Sequence, residues 1–300
     1  MTTFGKNSSI GFIGAGNVGT SLAVALHNKG YNVASVASRT FESALNFSCE
    51  IQDCNPERDI QKTVNVSEVV FVTTPDDAIV PTLKDLQFEK GQLVIHCSGV
   101  SSLDIFDRVN LPKEVYRACF HPIQAFSSIE RDVGYFQNIT FGIEGNMVTR
   151  DFLAEICKNL NANFVKLRPG DKPLYHLSGV LMGGLLSEYV ALCAQLWVSF
   201  GLSREEGIKA LLPMMKQVSL NVEKHGIPGA VAGPFARGDL GTVTKHIDAI
   251  LEYRPDLLPF YCHLSLQGLG FVQEKNQLNQ GAIDNMKKIL KESLRDNPRT

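Results

Sequence analysis

What this 300-residue chain lacks narrows its reading before any motif is considered. It contains no Cys-x-x-Cys pair, and its seven cysteines (Cys49, Cys54, Cys97, Cys119, Cys157, Cys193 and Cys262) are scattered and odd in number. That excludes a disulfide framework and offers no structural zinc spacing; buried thiols in a reducing compartment are expected. Neither sign of charge is in excess. The balance of 29 Lys and Arg against 31 Asp and Glu leaves a net charge of −2, so no basic field marks a nucleic acid or an anionic membrane as partner. Met1 to Ser9 carries no apolar signal region, which places the expected location in the cytoplasm. Repeats and low-complexity tracts are also missing. The most apolar stretch, Leu174 to Trp197, is interrupted by His176, Glu188 and Gln195 and is expected to be a core or interface helix before a membrane span.

With 44% hydrophobic residues the chain can bury a full core. Its length suits two domains. The strongest local signal is Ile10-Gly11-Phe12-Ile13-Gly14-Ala15-Gly16-Asn17-Val18-Gly19. A short apolar strand runs into a Gly-x-Gly-x-x-Gly turn, followed by a helical pattern through Leu22, Ala25 and Leu26. In a dinucleotide site Gly14 permits the tight turn, Gly16 lets the backbone approach a pyrophosphate, and Gly19 lets helix and strand pack closely. The helix start, at Asn17 and Val18, aims N–H groups and a partial positive charge at the phosphates. The next strand, Tyr31 to Ala37, ends in Ser38-Arg39-Thr40. A carboxylate there would bond a free ribose 2′-hydroxyl and repel a 2′-phosphate. A guanidinium with two hydroxyls suits the 2′-phosphate instead, which favours NADP over NAD.

Further strand-like runs are Val69 to Thr73, Leu93 to His96, Val115 to Phe120, Ile139 to Ile143 and Asn163 to Leu167. Helical patterns separate them at Ala78 to Leu86, Leu103 to Val109 and Arg150 to Leu160. Pro169-Gly170 breaks the alternation. Beyond it the pattern is helical: Leu174 to Phe200, Ser203 to Glu223 with a Ser203–Glu206 capping box, Leu240 to Glu252, Pro255 to Phe271 and Gly281 to Leu294. The expectation is an α/β, Rossmann-type, doubly wound and mostly parallel sheet over 1–169, followed by an all-α domain over 170–300 for substrate binding and dimerisation.

Ligands of such sheets sit beyond the carboxyl ends of the strands. Those ends offer Thr73-Thr74-Pro75 for the cofactor ribose (or as a turn and N-cap), Ser98 and Gly99 near the nicotinamide, and His121. His96 and His121 fall at adjacent strand ends, and His176 opens the long helix. Lone histidines are usually structural; three converging on one cleft point to acid–base work, with His176 and His121 as candidates. Metal is disfavoured, as no His-x-x-x-His or Cys-x-x-Cys spacing is present. Cys97 and Cys119 are expected to pack in the sheet. In the helical half, Arg237 and Asp239 stand on a Gly- and Pro-rich break, either as a surface pair or as holders of a substrate carboxylate or hydroxyl.

The opening glycine motif, Leu93-Val94-Ile95-His96-Cys97-Ser98-Gly99, Cys119-Phe120-His121-Pro122, Pro173-Leu174-Tyr175-His176 and Gly233-Pro234-Phe235-Ala236-Arg237-Gly238-Asp239 together resemble one family. It joins a Rossmann-like domain to the helical domain of unknown function 2520. Its wider relatives are the 6-phosphogluconate dehydrogenase-like enzymes, among them pyrroline-5-carboxylate reductase, the β-hydroxyacid dehydrogenases and ketopantoate reductase. The resemblance implies an NADP-linked reductase with a dimerising helical domain and does not by itself fix the substrate; a small-molecule carboxylate is the expected partner. Ketopantoate is the first substrate guess for a 2-oxo acid reductase. An imine reductase and a non-catalytic NADP-binding regulator are the alternatives. β-Hydroxyacid dehydrogenases carry a Lys near the start of the long helix and an Asn one turn on. With the helix expected from Leu174, that region is read as offering His176 in place of the Lys, followed by Gly183-Gly184. The small and apolar Leu185 to Trp197 face suggests a homodimer.

Overall fold

The computed structural model describes residues 4–129 and 132–295. The chain divides into two compact units, Met1–Leu185 and Leu186–Thr300. The first unit alternates strands and helices: β1 (Ile10–Ile13), α1 (Asn17–Asn28), β2 (Val33–Ala37), α2 (Phe41–Cys49), β3 (Asn55–Glu57), α3 (Ile60–Asn65), β4 (Val69–Val72), α4 (Asp76–Leu83) and β5 (Leu93–His96). After a 3-10 turn at Leu103–Arg108 come β6 (Tyr116–Ile123), β7 (Thr140–Gly145), α5 (Met147–Asn159), β8 (Asn163–Lys166) and α6 (Lys172–Met182).

The strands form one sheet in the order β3-β2-β1-β4-β5-β6-β7-β8. All pairs are parallel except β6 with β7. The order reverses between β1 and β4, the topological switch point at which doubly wound sheets bind their ligands. β1, β4 and β5 are buried at every position, as strands covered by helices on both faces must be. One core layer stacks Phe12, Phe71, Phe120 and Phe141 beneath α1 and α5. The other gathers Val70, Val94, Ile79, Leu83 and Phe106.

β3 is a three-residue edge strand, Asn-Pro-Glu, with none of the apolar pattern that marks the others. Proline is tolerated there because an edge strand has an unpaired side. β6 runs on to Ile123, beyond the Phe120 expected from sequence, because its last residues pair with β7 after β5 has turned away.

The second unit starts within α7 (Gly184–Gln195). It continues through α8 (Arg204–Gly229), α9 (Pro234–Arg237), α10 (Leu240–Tyr253), α11 (Leu258–Glu274) and α12 (Gln280–Arg295). Its core joins Val243, Ile247, Leu258, Cys262, Leu269, Val272, Met286 and Leu290. The Ser203–Glu206 capping box is formed in both directions.

The expected single helix from Leu174 to Phe200 is corrected. Gly183 leaves helical geometry at φ −108°, ψ −92°, separating α6 from α7, and Leu196–Phe200 tightens into a 3-10 turn. Residues Lys172–Phe200 together are long and apolar enough to cross a membrane by length and composition.

Candidate functional site

The glycine turn separates into packing and opening. Gly14 sits at φ +107°, where an L-residue is strained, and a Cβ would come within 2.8 Å of the Thr73 backbone. At Gly19, too, a Cβ would meet Thr73 and the Gly14 carbonyl, so the close helix–strand approach expected there is present. Gly16 is different: a Cβ on it would meet nothing within 4 Å. It is the N-cap of α1, no side chain caps that helix, and the first turn contains no acid. The N–H groups of the first turn therefore face open space with a positive helix end behind them, a cradle of the right chemistry for a pyrophosphate.

The strand ends divide in the same way. The Thr73 hydroxyl donates to the Gly14 carbonyl at 2.8 Å, pinning the glycine turn to β4. Thr74 Oγ1 is buried with no hydrogen-bond partner among the described residues, which leaves it free to bond a cofactor. Pro75 is the N-cap of α4. At the end of β2, Ser38 is half-buried, Arg39 and Thr40 are exposed, and the Thr40 hydroxyl accepts from the Ser43 N–H at 3.4 Å to cap α2. Asn17 Nδ2 reaches the Phe126 carbonyl at 3.5 Å. Val18 lies in the first turn of α1. These residues fit a bound dinucleotide carrying a 2′-phosphate.

Beyond β5 and β6 two of the three expected histidines, His121 and His176, come together, whereas His96 is fully buried with its ring 5.3 Å from that of Phe106. His96 pairs with Cys119 across the two strands, and the next same-face residue of β6 is His121. Lys172, Tyr175 and His176 share a face of α6 by helical spacing, and this face meets that face of β6. The Lys172 ammonium is fully buried and donates to the Ser98 carbonyl at 2.5 Å and toward Cys119 Sγ at 2.6 Å. Tyr175 donates its hydroxyl proton to the His121 carbonyl at 2.9 Å and lies 3.2 Å from His121 Nδ1. A Cβ on Gly142, opposite His121 on β7, would fall 2.6 Å from the Tyr175 ring, so the seat of that tyrosine requires a glycine. The His121 and His176 rings stand 5.7 Å apart, and a Cβ on Gly99 would lie 2.8 Å from the Nε2 of each. Gly99 thus marks a point that both imidazoles face. The Ser98 hydroxyl is committed to its own turn, accepting from the Ser101 N–H at 3.0 Å.

The electrostatics follow from burial beside a cation. Burial, then the charge of Lys172 and then His176 bring His121 down to about 3. Burial and Lys172 bring His96 to about 3 as well. Both imidazoles are neutral at physiological pH. The single Tyr175 proton is spent on the His121 carbonyl, so His121 Nδ1 must donate to the Tyr175 oxygen. That leaves His121 Nε2 as a bare acceptor aimed at Gly99. Burial pushes the Cys119 thiol up to about 11, with Lys172 opposing, so it is no thiolate nucleophile. Glu144, nine-tenths buried on β7, is raised for the same reason.

Lys172 is the residue that sequence reasoning missed. The helix begins at Lys172, with Pro173 in its first turn, and not at Leu174. The start of the long helix therefore does carry a Lys, one turn before His176. The signal was available: Lys172 precedes a proline placed as helix starts favour, but Pro169-Gly170 drew the loop too far.

In the second unit, Asp239 accepts from the Thr242 N–H at 3.0 Å and from its hydroxyl at 2.6 Å, capping α10. Those bonds hold its carboxyl below the usual range. Arg237 ends the short α9 and is exposed. Among the described residues no group of three or more His, Cys, Asp or Glu could hold a metal ion.

Comparison with known proteins agrees with this geometry. Residues 9–99 match the family described as NADP oxidoreductase, coenzyme F420-dependent. The matched residues run from the start of β1 through β5 to Gly99, the part of the Rossmann-type sheet that carries the glycine cradle. Residues 139–267 match the domain of unknown function DUF2520, so the two matches follow one another along the chain. No curated protein sequence matches the chain.

Among solved structures, a protein of Bacteroides fragilis described as an NADP oxidoreductase is similar at 24% identity, covering 88% of this chain and 99% of its own, with a TM-score of 0.69. A protein of Thermotoga maritima matches at 22% identity over 97% of this chain and 100% of its own, with a TM-score of 0.62. Pyrroline-5-carboxylate reductase of Streptococcus pyogenes matches at 14% identity, covering 95% of this chain and 100% of its own, with a TM-score of 0.59. At these identities the likeness is one of fold.

Proposed function

We propose that the protein uses NADPH to reduce the carbonyl of a small 2-oxo acid, with ketopantoate the first compound to assay. The observation that carries this reading is the meeting of His121, Tyr175, His176 and Lys172 around Gly99, at the carboxyl edge of the sheet that holds the glycine cradle. Gly14, Gly16, the α1 N-terminus, Thr74 and the Ser38-Arg39-Thr40 end would hold the dinucleotide. When bound, NADPH supplies a hydride.

The chain's own residues do the rest. His176, half-buried and facing Gly99, gives its proton to the oxygen that becomes the alcohol. His121 is held neutral, its ring fixed by Tyr175, and its unprotonated Nε2 accepts a hydrogen bond from a hydroxyl of the substrate. Lys172 anchors the Ser98 carbonyl and places a buried positive charge beneath the site, which favours developing negative charge on the substrate oxygen.

One observation favours a second reading, reduction of a cyclic imine. A neutral His121 beside a buried cation is poorly placed to give up a proton, and an iminium brings its own charge and needs no strong donor. The two are separated by replacing His176 with Ala. For a carbonyl substrate turnover falls by about 100-fold or more while NADPH affinity stays within twofold. Unchanged turnover removes His176 from the chemistry. A protein that binds NADPH tightly and reduces neither substrate class is a regulator.

We also infer a homodimer and a cytoplasmic location. Tyr189, Leu192, Phe200, Phe260, Leu264 and Phe271 of the second unit are exposed apolar residues, more than an isolated helical unit leaves to water. A second copy of the chain is the occupant that a self-complementary apolar face favours. All seven cysteines are free, as a reducing compartment allows.

A further inference from the structure

We propose that Arg58 is a second 2′-phosphate-binding residue and a determinant of the preference for NADPH over NADH. This rests on the reading of the cofactor as NADP. β2 and β3 pair in parallel with Ala37 opposite Glu57, so the next residues, Ser38 and Arg58, leave the sheet side by side at its carboxyl edge. Ser38 begins the stretch that recognises the 2′-position. Arg58 reaches it from a different strand, about 20 residues further along the chain.

Its side chain is held in place. The guanidinium carbon of Arg58 lies 3.8 Å from the centre of the Phe41 ring. Phe41 is the first residue of α2, directly after the Thr40 cap. The guanidinium is therefore stacked over the helix end that carries Arg39 and Thr40. Stacking occupies one face of a guanidinium and leaves its N–H edge free to donate in plane, the geometry that suits a phosphate.

The neighbouring carboxylates have other partners. Glu57 faces Lys62 at 4.0 Å, and Asp59 caps α3 by accepting from the Gln61 N–H at 3.0 Å. No ion pair engages Arg58 among the described residues. Two guanidinium groups then flank this helix end against one carboxylate in its first turn, Glu42. An aromatic platform for an exposed arginine, with no acidic partner, has no evident use in holding the fold together. It has one if an anion docks between Arg58 and Arg39.

The test is calorimetric titration of the full chain with NADPH, NADH, 2′,5′-ADP and 5′-AMP, which needs no turnover. Arg58→Ala weakens NADPH and 2′,5′-ADP by about tenfold or more, the loss typical of a charge-assisted hydrogen bond. It leaves NADH and 5′-AMP within twofold. Arg58→Lys restores part of the loss, since it keeps the charge without the fork. Phe41→Ala weakens 2′,5′-ADP by a smaller factor, as the guanidinium loses its support. Thermal unfolding of each free variant within about 2 °C of wild type confirms that the fold is intact. If Arg58→Ala binds 2′,5′-ADP like wild type while wild type prefers NADPH, the inference about Arg58 is overturned and the NADP reading stands. If wild type shows no preference for NADPH over NADH, both are overturned.

Discussion

Replacing Gly14 and Gly16 separately by Ala distinguishes a glycine that builds the turn from one that admits a ligand. At Gly14 the backbone is at φ +107°, which costs an L-residue about 1–3 kcal/mol. The new Cβ would also meet the Thr73 carbonyl carbon and oxygen at 2.8 Å, backbone atoms directly after β4 that are tied to β1 through the Thr73 N–H and cannot swing aside. Overlap of that kind adds about 1–3 kcal/mol. For a unit of this size each kcal/mol lowers the unfolding midpoint by about 2–4 °C, so Gly14→Ala loses roughly 4–24 °C. At Gly16 the backbone is extended, φ −82° and ψ −177°, and the Cβ enters open space. Reduced freedom of the unfolded chain favours Ala by about 0.4–1 kcal/mol. Its poorer N-capping costs a similar amount. The midpoint should stay within about 3 °C. Affinity for NADPH should nevertheless fall by about tenfold to a hundredfold, because the methyl stands where the pyrophosphate must approach. Differential scanning fluorimetry of the free proteins and calorimetric titration with NADPH read the two effects apart. A Gly16→Ala protein that binds NADPH like wild type, or a Gly14→Ala protein as stable as wild type, would refute the division of labour.

Three other outcomes follow from the site and the helical unit. His96 and His121 are neutral in the folded protein down to about pH 3 but take up protons near 6.5 when unfolded. The unfolded state therefore binds more protons between those values. Their contribution to stability is complete above about pH 6.5 and is lost as pH falls toward 3, each at up to about 1.4 kcal/mol per unit; urea midpoints at pH 7, 6 and 5 should fall more steeply for wild type than for His121→Asn, and equal slopes count against the buried neutral imidazole. Lys172→Met removes the cation that helps depress His121, so the His121 proton resonances should titrate at higher pH than in wild type while staying below 6.5, since burial remains the larger cause. An unmoved titration would show that Lys172 does not act on His121. Light scattering at micromolar concentration should give a dimer, and Leu192→Glu a monomer; a monomeric wild type would contradict the proposed use of the apolar face.

The sequence was most legible where structure is set by neighbours in the chain. The Gly14-Ala15-Gly16 turn, the apolar runs of β1, β4 and β5, and the Ser203–Glu206 capping box all depend on residues within a few positions, and each stands where it was expected. What sequence did not show depends on distant partners. The short polar β3 is a strand only because β2 offers it an edge. The extension of β6 through His121 exists because β7 pairs with it. The Thr73 hydroxyl, expected at the ribose, gives its proton to the Gly14 carbonyl, nearly 60 residues away in the chain. Lys172 lay unnoticed because its importance comes from Ser98 and Cys119, contacts that no local pattern announces. Gly99, expected near the nicotinamide, and Gly142 within β7 are small because His176, His121 and Tyr175 occupy the space a side chain would need.

The most direct test is the oxidation of NADPH, followed by its absorbance, with the full-length protein and a panel of small 2-oxo acids including ketopantoate, alongside Δ1-pyrroline-5-carboxylate. Reduction by this site requires NADPH to be consumed with at least one of these compounds, with NADH a poorer donor and with turnover dependent on His176. NADPH bound tightly by the same preparation, with no oxidation across the whole panel, would contradict it.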